Sequence, residues 1–176
     1  MRFYESLGLK PELALDLDGL KQHFYERSRQ WHPDRFSRRP AEERQRALDM
    51  TALLNDAFRT LRDPVARAEY FLRESGIEVS KEAPPELLEE VFELNMALEE
   101  LRGGDESARP GLVEAQERFR EMRAQIDGSL AALFSRHDAA PAPQTLAELR
   151  SVLNRRKYVA NLVRDVEKEL HVHLPN

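Results

Sequence analysis

Trp31-His32-Pro33-Asp34-Arg35-Phe36 is the stretch on which the reading of this chain turns. Pro33 fixes its own φ and has no N–H to donate. It also pushes His32 towards extended geometry. A helix arriving from about residue 17 should therefore stop here and leave His32 and Asp34 on a tight, exposed loop. Upstream, Leu17, Leu20, Phe24, Ser28 and Trp31 recur at three- and four-residue steps, as one face of a helix does. Asp16 is suited to cap its start. Lys21, Arg27 and Arg29 fall off that face, towards solvent. Downstream, Pro40 can open a further helix, with Glu42 and Glu43 in its first turn. Ala47, Thr51, Leu54, Phe58 and Leu61 form its apolar stripe. Two amphipathic helices joined by a short loop should pack antiparallel, as an αα-hairpin.

Outward from the hairpin the chain stays helical. Phe3, Tyr4 and Leu7 form a short apolar cluster ended by Gly8, which reads as a first helix of about two turns, and residues 10–14 read as loop. Asp63-Pro64 stops one helix and starts another, over 65–73, which Gly76 ends. Residues 79–85 are a linker candidate, stiffened by Pro84-Pro85. Three longer runs follow. The first, 86–101, carries Leu87, Val91, Leu94, Leu98 and Leu101, and Gly103-Gly104 breaks it. The second, 112–134, carries Leu112, Ala115, Phe119, Met122, Ile126, Leu130 and Leu133. The third, 146–170, carries Leu146, Leu149, Leu153, Ala160, Val163, Val166 and Leu170. Long helices with short breaks imply an up-down-up bundle. No segment has strand periodicity. The expected fold is all-α, with a helical-hairpin domain over 1–75, a linker over 76–83 and a three-helix bundle over 84–176.

Composition narrows the function. Among 176 residues, 41% are hydrophobic and 34% charged, with only 7 glycines, which fits a helix-rich protein. The net charge of −5 argues against a nucleic-acid binder. There is no cysteine, so disulfides and thiolate ligation of metals or iron–sulfur clusters are impossible. Met1-Arg2-Phe3-Tyr4 opens no apolar run, and no run approaches the ~18 residues of a membrane span. A cytoplasmic protein is expected, or an organelle-matrix one if a presequence has been removed. Charge is unevenly spread. Residues 21–46 hold eight Lys/Arg against four acids, and residues 74–106 hold eleven acids against two bases. The two halves should meet different partners.

These residues together resemble a known family. A short helix, a basic helix, His32-Pro33-Asp34, an apolar helix and a short fourth helix look like a J domain. Leu54-Asn55-Asp56-Ala57-Phe58 followed by Leu61-Arg62-Asp63-Pro64 resembles the third helix of that module and its ending. Arg67-Ala68-Glu69-Tyr70-Phe71-Leu72 with Gly76 is more selective. It resembles the HscB-type co-chaperones of iron–sulfur cluster assembly, which continue into an acidic three-helix domain.

The resemblance implies a mechanism and its residues. A J domain docks on the ATPase domain of a seventy-kilodalton heat-shock chaperone, here of the HscA type, and stimulates ATP hydrolysis. His32, Pro33 and Asp34 would reach the chaperone, with Lys21, Arg27, Arg29 and Arg35 forming the basic docking face. Tyr25 and Glu26 stand where many J domains carry basic residues. Clustered cations speed encounter with an acidic surface, and Asp34 can accept a bidentate pair from an arginine. The C-terminal domain of the family binds an IscU-type scaffold. The matching positions are Leu88, Phe92, Glu93 and Met96 on the first bundle helix and Tyr158 on the last. Leu88, Phe92 and Met96, spaced i, i+4, i+8, share a stripe beside the one assigned to the core. An apolar face too wide to bury is what a partner site needs. Glu89 and Asn95 lie within the patch, and Tyr158 stands where a phenylalanine is common.

The remaining constellations are poor sites. His32 with Asp34 lacks a third ligand for a metal. His171 and His173, two apart on a helix, would diverge. There is no phosphate loop, nucleophile motif or paired-carboxylate site. The chain is expected to be a non-enzymatic monomer with no cofactor, metal, nucleic-acid or membrane partner. Two alternatives stay open at this point. One is a general J protein with a different client; the other is a helix-hairpin nucleic-acid binder using the 21–46 face.

Overall fold

The computed structural model describes residues 1–78 and 84–172. The linker stretch 79–83 and His173 lie outside the described residues. Among the described residues seven α-helices run in order: α1 (Arg2–Leu7), α2 (Leu17–Gln30), α3 (Ala41–Arg62), α4 (Pro64–Glu74), α5 (Leu88–Arg102), α6 (Arg109–Ala139) and α7 (Pro143–Val172). Short 3₁₀ turns occupy Pro33–Phe36, Pro85–Leu87 and Glu106–Ala108. Among the described residues there is no strand. The fold is all-α, a unit built on a helical hairpin followed by a three-helix bundle. Its contacts form two compact units, and Phe134–Pro143, the end of α6 and its turn into α7, group with the first unit rather than with the bundle.

Local chemistry sets the ends of the first helices. Gly8 closes α1 in the left-handed region, at φ 70°, where its N–H reaches Glu5 O and the Leu9 N–H reaches Tyr4 O. A glycine takes that conformation without penalty. The Asp16 carboxylate caps α2 by accepting from the Asp18 and Gly19 N–H groups. Asp63 caps α4 at Ala66 N, with Pro64 opening the helix.

In the first unit α3 packs against α1, α2 and α4. Its Leu54 and Leu61 are fully buried, as are Tyr4 and Leu7 of α1. Phe24 stacks on Phe58 at 4.4 Å, joining α2 to α3, and Phe3 stacks on Tyr70 at 4.5 Å. Leu17, expected on the core face of α2, is instead exposed. It is the first residue of its helix. Trp31, at the other end, is half-buried and stacks on Phe36.

Arg67 is the buried charge of this unit. Its Nε donates to Leu13 O at 2.8 Å and its Nη1 to Leu61 O, while its guanidinium lies 5.6 Å from the Phe134 ring. Burial lowers its pKa below the ordinary guanidinium value. Asp138 accepts from Leu13 N at 3.0 Å and Ala14 N at 2.6 Å. The backbone groups of buried Leu13 are thus satisfied by side chains from distant parts of the sequence, as buried polar groups require.

The second unit has one core. Leu94, Leu98 and Leu101 of α5 meet Leu112, Phe119 and Ile126 of α6 and Val159, Val163 and Val166 of α7. Val159 and Leu162 are buried although they lie outside the apolar stripe of 146–170. The rim is pinned by Arg102–Glu169 and Arg120–Glu167, each at 2.7 Å, and by Arg156 with Asp127. α6 begins earlier than the apolar pattern implied, because Pro110 in a first turn forfeits no helical hydrogen bond.

Candidate functional site

The first site is the loop after α2. The Trp31 N–H makes the last helical bond, to Arg27 O at 3.1 Å. His32 then sits at φ −61°, ψ 128°, the extended geometry a following proline imposes. Pro33 opens a single 3₁₀ turn. The Asp34 N–H donates to His32 Nδ1 at 3.3 Å, so the histidine ring caps its own turn. The Arg35 N–H closes the turn on His32 O, and Ser37 Oγ donates to Asp34 O. Below, the Thr51 hydroxyl of α3 donates to Trp31 O. The backbone is therefore held from both sides while the side chains of His32 and Asp34 remain 58% and 91% exposed. A carboxylate that open, on a turn that rigid, can accept a bidentate cation from a partner with little ordering cost.

The basic residues divide. Lys21 and Arg29 are exposed and, with Tyr25, share one face at i, i+4, i+8. Exposed Leu17 begins the same stripe. Arg27 lies six positions from Lys21, ~240° round the helix, and is half-buried, with its Nη2 against Gly8. The structure thus groups Lys21 with Arg29 and sets Arg27 apart, towards α1. Arg35 is exposed and tied to the helix end by Nη1 donating to Arg29 O at 3.1 Å. Leu17 and Tyr25 thus join the basic residues on this face, and their four-residue spacing from Lys21 is the signal in the sequence that marks them.

The second site is on α5. Leu88, Phe92 and Met96 are 54%, 66% and 51% exposed, whereas Leu87, Leu94 and Leu98 next to them are buried. A 15-residue helix thus carries two apolar stripes, and its own core covers only one. Glu89, Glu93 and Asn95 are exposed among the patch residues, and Glu93 also lines a shallow cavity of about 150 Å³ with Arg118 of α6. Tyr158 differs from the α5 residues. It is half-buried and packs against the core cluster, presenting only part of its ring.

Among the described residues no group of three His, Cys, Asp or Glu could hold a metal ion, and no helix is long and apolar enough to cross a membrane.

Comparison with known proteins finds similarity over most of the chain. Residues 2–70 match the DnaJ domain, and residues 83–167 match the HSCB C-terminal oligomerisation domain. The chain is 32% identical over 171 residues to a co-chaperone protein HscB homolog of Vibrio vulnificus (strain YJ016), covering 95% of each. It is 30% identical over 166 residues to one of Shewanella baltica (strain OS223), covering 92% of each. Among solved structures it is similar to chaperone HscB from Vibrio cholerae, with a TM-score of 0.66 and 28% identity, covering 99% of this chain and 100% of that one. The human co-chaperone protein HscB shares the fold, with a TM-score of 0.68 at 23% identity, covering 96% of this chain and 81% of that one. With a J-type loop on one unit, a half-covered α5 on the other, and relatives matched from end to end, the chain belongs to the HscB family of J-domain co-chaperones.

Proposed function

We propose that this co-chaperone stimulates the ATPase of an HscA-type seventy-kilodalton heat-shock chaperone and delivers an IscU-type scaffold to it during iron–sulfur cluster assembly. The observation that carries the reading is the pairing of two uncovered surfaces in one chain. A rigid turn exposes His32 and Asp34 in the first unit, and an apolar stripe is left open on α5 in the second. The first surface suits a basic-faced J domain meeting an acidic ATPase domain. Lys21, Arg29 and Arg35 steer the encounter, Arg27 contributes less, and Asp34 engages a chaperone arginine. The second surface, Leu88, Phe92 and Met96 with Glu93 and Tyr158, suits a scaffold that offers apolar side chains and a cation.

The chaperone-binding part corresponds to residues 1–75 and the scaffold-binding part to 84–176, joined by 76–83. Holding both partners on one chain raises the effective concentration of scaffold at the chaperone. The hydrolytic chemistry belongs to the chaperone; this chain acts as a monomer in the cytoplasm and needs no cofactor.

A single-turnover ATPase assay with the HscA-type chaperone tests the reading. The chain alone should accelerate hydrolysis, and chain with scaffold should accelerate it more than the two separate effects combined. Stimulation that ignores the scaffold would point to a general J protein with another client.

A further inference from the structure

Among the described residues, the second unit holds a buried guanidinium N–H with no hydrogen-bond partner. Arg155 of α7 is half-buried, and its Nε is out of contact with solvent without any hydrogen-bond acceptor. Among the described residues it has neither a hydrogen bond nor an ion pair. Its neighbour Arg156, by contrast, is paired with Asp127 across to α6. Arg155 lines a cavity of about 230 Å³ between α6 and α7, together with the apolar side chains of Met122, Ile126 and Val152 and with Gln125 and Ser129. A buried donor left unsatisfied destabilises the fold that contains it. A guanidinium on apolar walls is therefore matched by a carboxylate carried next to an apolar group.

The dimensions and surroundings favour one occupant. The cavity is smaller than the ~300–1,000 Å³ of a metabolite-sized pocket, yet it accommodates one acidic side chain with a small apolar neighbour. Arg155 is three residues from Tyr158, hence on the same face of α7. Met122, Ile126 and Val152 all belong to, or pack on, the core cluster against which Tyr158 lies. We propose that the groove at Arg155 is part of the scaffold-binding surface and takes an aspartate or glutamate of the scaffold, flanked by an apolar residue. This rests on the assignment of Leu88, Phe92, Met96 and Tyr158 to the scaffold. The surface is then bipolar. Glu89 and Glu93 on α5 select a cation on the scaffold, and Arg155 on α7 selects an anion. Such polarity admits one orientation of the partner, because the reversed one sets like charges together.

Calorimetric titration of the IscU-type scaffold into the full chain, with a thermal melt of each variant, tests the proposal. Arg155→Gln should weaken binding about tenfold or more, the range for a charge-assisted hydrogen bond. Arg155→Glu should weaken it further, and reversing one scaffold carboxylate to lysine should restore binding to Arg155→Glu. The melting temperature of Arg155→Gln should be equal to or above the parent's, since an unpaired charge is removed. Phe92→Ala is the reference for the scaffold surface itself. If Phe92→Ala weakens binding while Arg155→Gln binds like the parent, the groove lies outside the interface and the proposal falls alone. If both bind like the parent, the scaffold surface is misplaced and the proposal falls with it. A marked drop in the melting temperature of Arg155→Gln would show that the guanidinium serves the fold, which also overturns the proposal.

Discussion

Replacing Phe92 by alanine removes the most exposed large apolar side chain of α5, and its consequences for folding and binding should differ widely. Phe92 is 66% exposed. Full burial of a phenylalanine contributes ~1.5–3 kcal/mol, so the third that Phe92 buries contributes ~0.5–1 kcal/mol. At a solvent-facing helical position alanine regains ~0.5 kcal/mol of helix propensity. The net loss of stability is then ~0.5 kcal/mol or less, and the melting temperature should fall by no more than about 4 °C. A phenylalanine filling the core would instead lose ~3–5 kcal/mol. As a central aromatic anchor of an interface, the same side chain is worth ~2 kcal/mol or more, which raises Kd about thirtyfold. Calorimetric binding of the scaffold and a thermal melt measure the two quantities on one sample. A Kd within threefold of the parent's, or a melting temperature lower by ~10 °C, would refute the reasoning. Tyr158→Ala should divide its effect between stability and binding, because its ring is partly committed to the core.

Four further outcomes are expected. His32→Gln should abolish stimulation of the chaperone's ATPase while the melt stays within ~1 kcal/mol of the parent, since an exposed ring contributes only a weak cap to its own turn; a large drop in melting temperature would make His32 structural. Arg29→Glu should weaken stimulation, and stimulation by the parent should fall as ionic strength rises; a response flat in salt would mean that the basic face is solvated surface. Gly8→Ala should lose ~1–2 kcal/mol by forcing a side chain into the left-handed region, with its Cβ 2.9 Å from Arg27 Nη2; an unchanged urea midpoint would show that the turn relaxes. Burial raises the phenol pKa of Tyr4 and Tyr70 above the ordinary 10.0. From about pH 10 upward the unfolded chain therefore releases protons that the folded chain keeps, and stability falls as pH rises; urea midpoints measured to pH 11 should show the fall, with a shallower slope in Tyr4→Phe.

Much of the local architecture was legible in the order of residues because its causes act within a few positions. Gly8 ends α1, Asp16 caps α2, Pro33 sets His32 extended and Asp63-Pro64 separates α3 from α4. Each rests on a backbone donor or dihedral within one to four residues. The loop that presents His32 and Asp34 belongs to this class, as does the two-stripe character of α5, since four-residue spacing is visible without a partner. The edges of each stripe were less legible. Periodicity gives the direction of a helix face, but the width that is covered depends on the neighbouring helix. Leu17 is therefore exposed although its spacing puts it on the core face, and Tyr158 lies half-buried at the margin of the core.

Other features came only from the tertiary structure. Arg67 sits in a run read for its resemblance, and nothing near it marks it as a buried donor to Leu13 O and Leu61 O. Asp138 accepts from Leu13 N and Ala14 N across more than 120 residues, which draws Phe134–Pro143 into the first unit. Arg155 and Arg156 are adjacent and chemically alike, yet one meets Asp127 and the other faces an apolar groove. No local rule distinguishes such residues. Whether a charge is solvated, paired or stranded is settled by which atoms the folded chain brings within about 3 Å of it, and those atoms come from elements whose separation in sequence carries no information about their separation in space.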